Sequence, residues 1–420
     1  MTEFTATPYV PGHARGPVSR DPVQAGAILL VAGDKLPATI RADGIVVVDG
    51  AMFSHPMLGL LAKGIPAVIA TAAQAAELQA GQVVRLDGYT GLVADLAAMD
   101  SAQLWPPLAP PPGQPVISAD GVAVALQASV RDAASAAQAK VLGAQSIGLV
   151  RSEYLAPADG SVPDGAFYRQ AFGDLLAAAD PLRVTLRLLD IAADKVPAWL
   201  PRTVQGGGAL GLQGMRLFDQ EPVQSLVAAQ IDAVARLDVP QRLGLLVPYV
   251  TTVEELRLFR ERIRERVELP IGAMIETPAA ALEVAGLLET ADFAALGTND
   301  LMQCLFAADR DSAPLQHYLD PYAPLLYRFL AQIAREADRQ LPRLQMCGLL
   351  SQLPGVLPVL LGLGFRSFTV GVPYIPYLAA TVRQTRIAEA VAFAEEVCRS
   401  KSRSEVQALL DGRYLPAGPS

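Results

Sequence analysis

Cysteine is scarce in this chain: only Cys304, Cys347 and Cys398 occur in 420 residues. An odd, sparse set excludes a disulfide framework and points to a reducing compartment, so a cytoplasmic protein is expected. Basic residues are in deficit as well. Against 42 Asp plus Glu stand 34 Lys plus Arg, for a net charge of −8. That balance argues against a general nucleic-acid binder, whose surface is normally basic. It leaves room for a small anionic substrate, which a few local arginines can serve. No apolar run reaches membrane-spanning length without a charge, Gly or Pro, so no membrane partner is expected. The opening "MTEFTATPYVPGHARG" lacks a basic start followed by an apolar core and does not read as a secretory signal.

What the chain has in quantity is apolar residues, 51% of the total, enough for a large core. It also concentrates proline. "LWPPLAPPPGQP", residues 104–115, holds six of them. Such a stretch lacks backbone donors and stays extended and semi-rigid. It reads as a linker between a first domain, 1–103, and a second, 116–420.

The first domain shows short β-type runs at 27–32, 44–50, 66–71 and 82–88. A turn and short helix, "FSHPMLGLLAKG", lie between the second and third, as in a small α/β domain. The second domain alternates strands and helices. Candidate strands are 122–127, 146–151, 183–190, 243–249, 270–276, 293–297, 343–347 and 366–371. Ala/Leu-rich helical stretches such as 217–237 and 318–339 separate most of them. Eight strands with intervening helices over such a length fit a (β/α)8 TIM barrel. Their nearly continuous apolar runs suit strands buried on both faces. A doubly wound open sheet is the architectural alternative.

Several of these strands end in charged or reactive groups: Arg151 then Glu153, Arg187 and Asp190, Glu276, Asn299 and Asp300, and Cys347. One reading is helix capping, since Thr, Asn and Asp are good N-cap types and Glu276 precedes a Thr-Pro helix start. The other is a site, because in a barrel these ends converge on the C-terminal rim. Two carboxylates and an amide suit Mg²⁺, which shares substrate oxygens. Arginines and a lysine suit a phosphate and a carboxylate.

Six segments carry a resemblance, in order along residues 120–400: "GLVRSEYL", "LRLLDIAADK", "GALGLQGMRLF", "IGAMIETPAAAL", "LGTNDLMQCLFAADR" and "MCGLL". Together they resemble the C-terminal barrel of phosphoenolpyruvate-utilising enzymes, nearest to enzyme I of the sugar phosphotransferase system, with pyruvate phosphate dikinase and phosphoenolpyruvate synthase as kin. In the first domain, "PGHARGPV" looks like the opening turn of the family's swivelling phosphohistidine domain. "GIVVVDGAMFSHPMLGLLAKGIPAVIAT" looks like the segment bearing its phosphorylated histidine. The resemblance implies that His55 is the phosphoryl carrier and Cys347 the acid that protonates the enolate carbon. It implies Arg151, Arg187, Lys195, Arg216, Asn299 and Arg310 around the substrate. Glu276 and Asp300 would be Mg²⁺ ligands, with Mn²⁺ as a substitute. A homodimer through the barrel is also implied.

The chain departs from the family pattern at four places. Gln213 stands where a substrate-site arginine is usual, Leu349 where a glutamate follows the catalytic cysteine, Ala192 and Ala193 where glycines are usual, and Phe53 where a threonine precedes the histidine. Residues 8–95 leave no room for the phosphocarrier-docking helices of enzyme I, and no ATP-grasp domain is present. A phosphotransferase acting between phosphoenolpyruvate or pyruvate and His55 would therefore need a separate donor or acceptor chain, an ATP-grasp subunit or a phosphocarrier. Two alternatives remain: a catalytically weakened phosphoenolpyruvate- or pyruvate-binding regulatory subunit, and a Mg²⁺-dependent lyase on the same barrel.

Overall fold

The computed structural model describes residues 2–37, 39–95, 109–191, 197, 199–200, 210–238 and 240–411. Two sheets organise them. The first contains β1 (Glu3–Thr5), β2 (Thr7–Val10), β3 (His13–Ser19), β4 (Ile28–Ala32), β5 (Gly44–Val48), β6 (Ala67–Ala70), β7 (Val83–Asp87) and β8 (Leu92–Asp95), in the order β1-β8-β7-β3-β4-β5-β6-β2. The run from β3 to β6 is parallel, and its flanks are antiparallel. A parallel pair needs a crossover, and the helix His55–Lys63 supplies it between β5 and β6. Gly64, at φ 66°, closes that helix in the left-handed conformation that glycine adopts without penalty. Side chains alternate across the sheet. Ile28, Leu30, Val46 and Val68 form one core, whereas Leu29, Ile45, Val47, Met57 and Leu60 join the core that continues into the second domain.

Four of these strands agree with the runs expected from the sequence. β1, β2 and β8, three or four residues long, are not among those runs. The expected opening turn "PGHARGPV" is instead mostly strand, with His13–Pro17 paired against Val83–Asp87. Gly16 permits this, because a Cβ there would meet the Gly26 carbonyl oxygen at 2.1 Å.

The second sheet is the barrel: β10 (Ala123–Val130), β11 (Ile147–Arg151), β12 (Val184–Arg187), β13 (Leu243–Val250), β14 (Ile271–Ile275), β15 (Phe293–Gly297), β16 (Leu344–Cys347) and β17 (Ser367–Gly371). All eight are parallel, and β10 pairs with both β17 and β11, which closes the ring and excludes the open sheet. The short β9 (Val116–Ile117) runs antiparallel along the start of β10. β13 and β14 are buried at every position, as two-sided cover demands. Helices are shorter than the sequence pattern suggests. Pro222 and Pro324 start two of them, at Val223–Ala235 and Pro324–Ala337, because a proline ring tolerates only the first turn. No helix among the described residues is long and apolar enough to cross a membrane. Residues 104–108 of the proline-rich stretch lie outside the described residues.

Candidate active site

A cavity of about 180 Å³ opens at the C-terminal rim of the barrel. Arg151, Arg187, Glu276, Asn299, Asp300 and Cys347 all line it, each from the end of a different strand or the turn after it, except that Asn299 and Asp300 share one. Its remaining wall includes Gly59, Leu61 and Gly64, from the helix that begins at His55 and its C-cap. The first domain thus covers the barrel mouth.

The capping reading is settled residue by residue. Thr277 caps the helix Pro278–Leu282, accepting from the Ala280 N–H at 3.2 Å, which leaves Glu276 outside the capping role. The helix Thr298–Phe306 starts from Gly297 with no side-chain cap. Thr298 instead donates to the Cys347 carbonyl at 2.8 Å, and Asn299 Oδ1 accepts from the Leu349 N–H at 3.0 Å. These bonds tie the β15 end to the β16 end. Asp300 sits in the first turn of the helix, where the positive end of the helix dipole favours its charge.

Arg187 is 2% exposed. Its Nη2 donates to Glu153 Oε1 at 2.5 Å and its Nη1 reaches Asp190 Oδ2 at 2.8 Å. Burial opposes the guanidinium charge, but Asp190, Glu153, Glu276 and Asp300 more than offset it, so its pKa is raised. Glu153 Oε1 also lies 3.7 Å from Arg151 Nε, so one buried carboxylate spans both arginines. Arg151 in turn lies over the Tyr154 ring at 5.4 Å. The sequence shows Glu153 only as the polar residue after a strand. Its role as a bridge needed the β11–β12 pairing that sets Arg151 beside Arg187.

Cys347 is 2% exposed. Burial pushes its thiol up to about 12, against smaller opposing effects of a Thr369 hydrogen bond and the Arg187 charge. The group is therefore a protonated thiol at neutral pH. Thr369 is its register partner on β17 and lines the same cavity. A polar residue between Phe368 and Val370 in "RSFTVG" was the available signal, and no role was expected for it. Cys304 and Cys398 are also free thiols.

The two carboxylates suit a hard divalent cation. Glu276 is 2% exposed and accepts from the Tyr249 N–H at 3.1 Å. Gly297 makes room for it, since a Cβ there would lie 2.7 Å from Glu276 Oε1. No group of three or more His, Cys, Asp or Glu is gathered for a metal among the described residues. Two carboxylates suffice for Mg²⁺, which completes its shell with water and substrate oxygens.

Other expected residues fall elsewhere. Arg310 lines a second cavity, of about 380 Å³, and approaches Asp300 at 3.4 Å from behind the first. Ser54 and Phe53, just ahead of His55, line that second cavity too. Arg216 lines neither; it donates to the Gly211 carbonyl and to Thr251 Oγ1, both at 3.1 Å. Lys195, with Ala192 and Ala193, lies outside the described residues. Gln213 and Leu349 are both buried, and Leu349 lines the first cavity.

Two family models match. One, described as the PEP-binding domain of PEP-utilising enzymes, covers residues 111–387, and the other, their mobile domain, covers residues 27–91. A phosphoenolpyruvate-protein phosphotransferase of Streptomyces coelicolor is 33% identical over 407 residues, 91% of this chain and 72% of that one. One of Haloferax volcanii is 30% identical over 389 residues, covering 88% of this chain and 68% of its own. A multiphosphoryl transfer protein of Xanthomonas campestris is 31% identical over 425 residues, 93% of this chain but 50% of the relative.

Proposed function

This chain belongs to the phosphoenolpyruvate-utilising enzymes, and we propose that it moves a phosphoryl group between phosphoenolpyruvate and His55. The observation that carries this reading is the shared cavity: its barrel wall holds cations, carboxylates and a protonated thiol, and its other wall is the helix that His55 begins.

Arg151 and Arg187 bind the carboxylate and phosphate of the substrate as charged, multiply donating partners. Glu153 and Asp190 hold the Arg187 guanidinium still, so little rotamer freedom is lost on binding. Asn299 completes the anion site, and Arg310, on the second cavity, pairs with Asp300. In the forward direction the imidazole of His55 attacks phosphorus, a P–N bond forms, and the bridging P–O bond breaks. The electron pair leaves on the enol oxygen. Cys347 delivers its thiol proton to the methylene carbon, giving pyruvate, and the thiolate recovers a proton from solvent. Glu276 and Asp300 would hold Mg²⁺ or Mn²⁺, which supplies Lewis-acid stabilisation of the enolate and phosphoryl oxygens.

The first domain, within 1–103, acts as the carrier and swings on the 104–115 linker to a separate phosphocarrier or ATP-grasp chain. The protein works in the cytoplasm, as a homodimer. Incubation with Mg²⁺ and ³²P-labelled phosphoenolpyruvate should give an acid-labile, base-stable phosphoprotein that His55→Ala abolishes. Binding of phosphoenolpyruvate without any label would overturn the transferase reading and leave a binding subunit, the reading that the neutral Gln213 favours.

A further inference from the structure

Tyr249 stands at the rim end of β13 with a backbone φ of 53°. A bulky residue rarely adopts that left-handed conformation, and a strand never requires it. The pairing with β14 slips at the same point: the register moves from Val247↔Ala273 to Val250↔Ile275, three residues against two. One extra residue in one strand is a bulge, a feature that re-aims backbone groups next to sites.

Two contacts of this bulge lead to the cavity's carboxylates. The Tyr249 N–H donates to Glu276 Oε2 at 3.1 Å. The phenol oxygen lies 3.6 Å from Cys304 Sγ, on the helix Thr298–Phe306 whose first turn carries Asp300. The Arg216 guanidinium lies over the ring at 5.3 Å from its centre. Gly214 lets the loop close against it, since a Cβ there would sit 2.5 Å from Tyr249 Cβ. The side chain is buried. Arg216 therefore has a place in the molecule that the substrate role does not describe: it clamps this ring.

We propose that Tyr249 is a positioning residue, whose strained bulge, clamped by Arg216 and Cys304, aims a backbone N–H that sets the Glu276 carboxylate for a divalent cation. The inference rests on the reading of Glu276 as a metal ligand. It distinguishes the backbone of Tyr249 from its bulk. Were the ring only packing, loss would grow with the side chain removed, and glycine would be worst. If the left-handed backbone is what acts, glycine holds it freely, asparagine tolerates it, and alanine relaxes out of it.

The test is Mn²⁺ binding in the presence of oxalate, read from the spin-resonance signal of the free ion, with folding checked by circular dichroism. Loss of a group that orients a metal ligand costs about tenfold to a hundredfold in affinity, so Tyr249→Ala should bind that much more weakly. Tyr249→Gly should stay within about threefold of the wild type, because its backbone keeps the bulge. Tyr249→Asn should fall between them and serves if either small variant fails to fold. Glycine binding as weakly as alanine, or more weakly, would overturn the proposal. Equal Mn²⁺ binding by the wild type and Glu276→Ala would overturn the metal reading beneath it.

Discussion

Cys347 is a poor nucleophile and a serviceable acid for one reason, burial. Its thiol ionises only near about 12, so the proton is present across the working range. The sign of the pH dependence follows. Single-turnover formation of pyruvate from phosphoenolpyruvate, whose enolate takes its proton from the thiol, should hold steady through pH 9, where an ordinary thiol is largely ionised. It should decline only as pH nears the shifted value, and Cys347→Ala should bind pyruvate yet lose solvent-proton exchange at its methyl group. A decline already centred near pH 8 to 9 would assign the proton to another group. Arg187 makes the opposite case, a charge kept inside by two carboxylates. Arg187→Ala should abolish phosphoenolpyruvate binding and also cost about 3–5 kcal/mol of stability, because Glu153 and Asp190 lose a buried partner. Urea denaturation measures the second effect separately from the first.

At the scale of elements, the site is an arrangement of strand ends that approach unusually closely. Gly297 ends β15 beside Glu276, and Gly348, at φ 108°, follows β16 beside Thr298. A methyl group at 297 would lie 2.6 Å from Glu276 Cγ. Gly297→Ala should therefore displace that carboxylate and weaken Mn²⁺ binding by about tenfold or more. Thermal denaturation should report a cost of about 1–3 kcal/mol, the usual range for overpacking. Unaltered metal binding in a folded Gly297→Ala protein would mean that Glu276 has slack the close approach does not suggest. The short helices obey the same local logic: prolines at 222 and 324 set where each begins, whatever the apolar periodicity ahead of them.

At the scale of the molecule, the first domain sits on the barrel mouth through an aromatic contact as well as through the helix of His55. Tyr89 lies 5.9 Å from Tyr377 of the barrel and 5.2 Å from His13. An aromatic pair is worth about 1 kcal/mol beyond its buried area, so Tyr377→Ala should lower the docked population by about tenfold or less. Phosphorylation of His55 should slow accordingly. Proton exchange into pyruvate, which needs only the barrel, should stay at the wild-type rate. If both rates fell together, the contact would be serving the barrel rather than the docking.

Local pattern was enough to read the eight barrel strands, because strands buried on both faces are written as unbroken apolar runs such as "IGAMI" and "LGLLVPYV". It was also enough to single out the polar residues that end those runs. A polar side chain after an apolar strand is a local signal, legible without any fold. What the alphabet of one segment does not contain is its partner. Arg216 was expected at the substrate and lies instead over Tyr249, and Glu153 passed without a role although it joins two arginines. Both depend on which strand ends become neighbours when the barrel closes. The left-handed backbone of Tyr249 is of the same kind. No tyrosine favours it in isolation, and it persists only where the register of two strands, a glycine behind and a guanidinium above hold it. Strain of this sort is a property of packing, because the energy that sustains it comes from residues distant in the chain.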